Sequence, residues 1–83
     1  MEKSQNIVDV TKSSIPDQIS RVDEAMSEAQ KGIGTTILIS SHIVGTYALP
    51  KSLEKKIKCK ISPSEVTGEW RMDIKTYIRY RGD

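Results

Sequence analysis

The stretch Lys56-Ile57-Lys58-Cys59-Lys60-Ile61 alternates without a fault, lysine on one side and isoleucine or cysteine on the other. A period of two belongs to a β-strand, whose successive side chains point to opposite faces. The next segment, Ser62-Pro63-Ser64-Glu65-Val66-Thr67-Gly68, holds the Ser, Pro and Gly that turns use. Alternation then resumes over residues 69–81: Trp70, Met72, Ile74, Thr76, Ile78 and Tyr80 share one side, Arg71, Asp73, Lys75, Tyr77, Arg79 and Arg81 the other. Two neighbouring strands with matched periodicity must share their faces, because a one-residue slip would turn every isoleucine out to water. Residues 56–81 are therefore predicted to be a β-hairpin with one apolar and one basic face.

Working outward from the hairpin, Ser14-Ile15-Pro16-Asp17 combines an N-capping Ser, a Pro tolerated in the first helical turn, and an acid three residues after the Ser. Ile15, Ile19, Val22, Met26 and Ala29 then recur at helical spacing, and Gly32 supplies a C-terminal stop. Residues 14–32 are predicted to be a helix. Its other side carries Asp17, Gln18, Arg21, Glu24, Glu28 and Lys31, with Asp17 and Arg21 spaced as a favourable pair. Residues 32–50 hold no formally charged side chain, and the β-branched run 35–44 reads as a strand. Apolar residues on both its faces favour a central strand; the alternative is an exposed edge that pairs with a second copy of the chain. Gly45-Thr46 reads as a bend and residues 50–55 as one helical turn at most. Ile7-Val8-Asp9-Val10 reads as a short strand or as part of a mobile arm over residues 1–12.

Eighty-three residues accommodate one domain. The apolar share is 36%, with no Phe, one Trp and three Tyr, so the core must be aliphatic and β-branched. No window is long and apolar enough to span a membrane, and one cysteine excludes a disulfide scaffold. Residues 1–11 lack the features of a signal or transit peptide, and the unpaired Cys59 suits a reducing compartment, so a cytoplasmic protein is expected. Arg81-Gly82-Asp83 reads as a solvated terminus. The expected fold is α+β: one amphipathic helix packed on a three- to four-stranded, mainly antiparallel sheet, in two layers, ending in the basic hairpin.

The net charge of +2 conceals a segregation. Lys56, Lys58, Lys60, Arg71, Lys75, Arg79 and Arg81 are expected on one face against a single acid, Asp73, with Tyr77 among them. Cations so placed neutralise phosphates and release their counterions, and a Tyr among them can stack on an unpaired base. Lysines on a half-exposed strand also serve simply to keep a sheet soluble. That role, however, is met by mixed signs, as on the helix. The leading expectation is non-enzymatic nucleic-acid binding, DNA or RNA, largely independent of sequence. The second is a small regulatory module or inhibitor, of the kind phages and mobile elements encode, whose basic strip docks on an acidic protein surface. A homodimer through residues 35–44 is the third.

Chemistry has little to work with. Cys59 is in phase with Ile57 and Ile61, which puts it on the apolar side, where a thiol is inert. His42 stands alone among Ser40, Ser41 and Thr46. One His and one Cys do not make a four-ligand metal site within one chain. Gly32-Ile33-Gly34 follows a helix, whereas phosphate-binding glycine motifs open one. No catalytic residue, metal or cofactor is assigned, and an enzyme is not expected.

In outline the order strand, helix, strand, short segment, basic hairpin is similar to that of small chromatin proteins of the Alba type, whose final hairpin reaches along nucleic acid. The matching segments are Lys56 to Ile61 and Trp70 to Arg81. The chain departs from that layout in lacking a full second helix, since residues 43–55 contain a Gly and a Pro. The likeness is one of layout, and no residue role is carried across.

Overall fold

The computed structural model describes residues 6–76. The elements are β1 (Asn6–Asp9), α1 (Ile15–Gln30), β2 (Thr35–Ile39), α2 (His42–Lys55), β3 (Ile57–Pro63) and β4 (Trp70–Thr76). The strands form one mixed sheet in the order β1-β2-β4-β3, with β1 parallel to β2 and the other two pairs antiparallel. The architecture is α+β with two helices rather than the single one expected. Ile78, Tyr80 and the candidate residues Tyr77, Arg79 and Arg81 lie outside the described residues.

Helix α1 forms where its capping signals place it. Ser14 is extended, and its side chain accepts a hydrogen bond from the Asp17 amide at 3.3 Å. At the other end the Gly32 amide donates to Ala29 O and the Ile33 amide to Glu28 O, while Gly32 adopts φ +95°. That pair of bonds is a Schellman stop, and the positive φ suits a residue without Cβ. The buried face is Gln18, Val22, Ala25, Met26 and Ala29. It is rotated from the expected one: Ile15 is exposed and Gln18, assigned above to the polar side, is buried. Arg21 pairs with Glu24 at 3.3 Å rather than with Asp17.

The larger correction lies between residues 40 and 55. Strand β2 stops at Ile39, and Ser41 caps a 14-residue helix, its hydroxyl accepting from the Ile43 amide at 3.2 Å. The sequence hides this helix because its buried face is Val44, Gly45, Ala48 and Ser52, mostly too small to register as an apolar stripe. Pro50 sits inside it and lacks the amide that would bond Thr46. The small face lets α2 lie close on β3, and a Cβ at Gly45 would stand 3.0 Å from Ile61 Cδ1. Lys56 ends the helix in the left-handed conformation at φ 60°. It therefore belongs to the helix–strand junction and not, as expected, to the strand face. The expectation that residues 43–55 hold no full second helix is thereby corrected.

Both helices cover one face of the sheet. Ile37, Ile39, Met72, Ile74 and Ile57 are buried beneath them, with Cys59, Ile61 and Trp70 partly covered. Thr35 donates to Glu28 and Thr76 to Ala29 O, fixing α1 over β2 and β4. Tyr47 donates to Asp23 at 2.8 Å and ties α2 to α1. Strand β2 is central, flanked by β1 and β4, so it has no free edge with which to pair a second copy. The strand reading of residues 7–10 holds over Asn6–Asp9. No helix of the described residues is long and apolar enough to cross a membrane.

Candidate nucleic-acid interface

The hairpin register determines which cations meet. Lys58 lies directly opposite Lys75, Lys60 opposite Asp73, and Ser62 opposite Arg71. These side chains are on the face away from the helices, and Lys58, Lys60, Lys75 and Arg71 are all exposed. The expected strand parity is thus realised for these four residues, whereas Lys56 lies off the strand.

The single acid on this strip is already engaged. Asp73 Oδ1 accepts a hydrogen bond from Thr36 Oγ1 at 2.7 Å and sits 3.5 Å from Arg71 Nε. Thr36 comes from the adjacent strand β2, in register with Asp73. The carboxylate is therefore held against the sheet, and it offsets Arg71 more than the lysines. Among the described residues no ion pair involves Lys58, Lys60 or Lys75. Like charges directly opposite on paired strands are mildly destabilising, and an anion laid across Lys58 and Lys75 relieves that repulsion. Thr36 escaped the sequence reading because its partner is 37 residues away.

The outer face is not basic throughout. On the β1–β2 side it carries Ile7, Asp9 and Leu38, and the loop after β3 adds Val66, Glu65 and Glu69 around a hollow of about 460 Å³. The loop is closed by bonds from the Ser64 amide to Glu69 O and from the Glu69 amide to Val66 O, with Gly68 at φ +87°. The positive strip is thus confined to β3 and β4 and bounded by acids at the loop end.

Cys59 lies on the helix side of β3, and burial, aided by the Asp73 charge, pushes its thiol up to about 11. The thiol stays protonated at neutral pH, which removes its nucleophilicity. His42 is the first residue of α2, exposed, and lines a different hollow from Cys59. The structure does not bring the two to one site. Among the described residues no three His, Cys, Asp or Glu side chains cluster as metal ligands. Gly32 serves as the helix stop described above. Comparison with protein-family models, with curated proteins and with solved structures finds no match.

Proposed function

We propose that this chain is a non-enzymatic cytoplasmic protein that binds the phosphate backbone of nucleic acid through the outer face of β3 and β4. One observation carries the reading: Lys58, Lys60, Arg71 and Lys75 project from two paired strands, and the one acid among them is already engaged by Thr36 and Arg71. Strands that lie flat and present point charges contact phosphates rather than base edges, so discrimination between sequences is expected to be weak. Lys58, Lys60 and Lys75 carry the contact, and Arg71 adds to it at the loop end.

The test is an electrophoretic-shift or anisotropy titration against DNA and RNA, single- and double-stranded, across salt. Neutralising about four phosphates predicts that affinity falls roughly 100-fold between about 50 and 200 mM salt. Lys58→Glu with Lys75→Glu removes binding while the circular dichroism spectrum is unchanged. Absence of binding to all four probes at about 50 mM salt, or affinity indifferent to salt, overturns the proposal.

A further inference from the structure

Strand β3 is the last in the sheet. One edge pairs with β4, and no strand among the described residues pairs with the other. Such an edge directs alternate amide and carbonyl groups outward, a template for an extended chain. Here the edge runs for seven residues beside α2, and the apolar space between them is not closed. One hollow of about 330 Å³ lies along this edge among Leu53, Ile57 and Cys59; a second of about 210 Å³, lined by Ile39, Ile61 and Trp70, lies inward over β4 and β2 and shares Leu49 with the first. Leu49 is 45% and Leu53 78% exposed above them.

We propose that this edge accepts, as an added strand, a segment of a partner protein whose residues alternate acidic and apolar. Strand parity determines that pattern. An added strand sends every second side chain to the helix side, towards the hollow beside Leu49 and Leu53, and the others to the outer side next to Lys58 and Lys60. Opposite charges across neighbouring strands attract and like charges repel, so the outer positions select Asp or Glu. Lys51, Lys55 and Lys56, on or just after α2, add to the positive field, against Glu54 alone on that helix. The same charges reject a second copy of this chain, because β3 laid on β3 brings lysine against lysine. Edge lysines alone would serve to prevent aggregation. They do not account for the leucines left exposed beside an open apolar crevice. The occupant's acids engage Lys58 and Lys60, which the proposed nucleic-acid contact also uses, whereas the strand edge and the helix side serve the occupant alone.

Trp70 is the chain's one tryptophan and lines the second hollow, so its emission reports occupancy. The probe is a capped seven-residue peptide alternating Glu and Val. Its controls are the same peptide with Lys for Glu, and one with the Glu and Val residues in two blocks. The alternating acidic peptide is expected to shift Trp70 emission and slow amide exchange over residues 57–63, with both controls at least about tenfold weaker. Lys58→Glu with Lys60→Glu reverses the preference towards the lysine peptide. Leu53→Asp, at an exposed position, weakens the peptide about tenfold and leaves nucleic-acid binding unchanged. Equal binding of the block peptide, no response up to about 1 mM, or a sedimenting dimer that Leu53→Asp dissociates, each overturns the proposal.

Discussion

Gln18 shows what one side chain does for the joints of this fold. Its Nε2 donates to Ser13 O at 2.9 Å and to Ser40 Oγ at 3.1 Å, and its Oε1 accepts from the Ser40 amide at 3.3 Å. It thereby links the loop before α1 to the chain leaving β2. Gln18→Ala removes three partly buried hydrogen bonds that join these two segments and is expected to cost about 1–3 kcal/mol, measured by urea unfolding. A helical wheel assigns Gln18 to the solvent because a polar residue carries no sign of distant hydrogen-bond partners. Cys59 gives a pH prediction at the same scale. Its thiol is raised from near 9 to about 11 by burial, so the folded state holds the proton more tightly than the unfolded chain. Stability is therefore unaffected below about pH 9 and falls as pH rises from there towards 11. Alkylation of the native protein should keep accelerating with pH beyond 9. A rate that levels off near pH 8–9 would show an exposed, ordinary thiol.

At the scale of elements, α2 separates what periodicity reveals from what packing decides. Helix α1 is legible because Ser14, Pro16 and Gly32 are local signals and its buried face contains Val22 and Met26. Helix α2 is not, because Gly45, Ala48 and Ser52 are selected by the closeness of β3 and not by hydrophobicity. That closeness is testable. Ile61 Cδ1, the atom nearest a Gly45 Cβ, ends a flexible side chain beside an open hollow, so it can swing aside. Gly45→Ala is then expected to gain up to about 1 kcal/mol from helix propensity, whereas Gly45→Leu overpacks the contact and loses about 1–3 kcal/mol. A Gly45→Leu melt that rises along with that of Gly45→Ala would show that helix and strand are not in close contact there. The hairpin is the most legible element, since its alternation survives from Ile57 to Ile61 and from Trp70 to Thr76.

Over the whole molecule, the strand order gives β2 and β4 a partner on each edge and leaves β1 and β3 with one. Amide exchange is therefore expected to be slowest in β2 and β4, with Ile37, Ile39, Met72 and Ile74 beneath the helices the most protected. Slowest exchange in β3 would contradict this order. The same order places the proposed nucleic-acid surface on the open face of the sheet and the proposed protein contact on its edge. The lysines of β3 border both, so Lys58 and Lys60 variants alone do not separate the two surfaces, while Leu53→Asp does.

The two faces of the hairpin, the caps of α1 and the segregation of charge are written in the chain, because a period of two and a capping residue are local properties. The alternation placed Lys58, Lys60, Arg71 and Lys75 on one side before any partner strand was known. Four features came from the folded chain alone: β4 inserts between β2 and β3, Thr36 and Arg71 engage Asp73, residues 42–55 form a second helix, and β3 has no second strand partner among the described residues. Each of these depends on contacts between residues far apart in sequence, where small side chains and pairing partners are chosen by fit and leave no periodic trace.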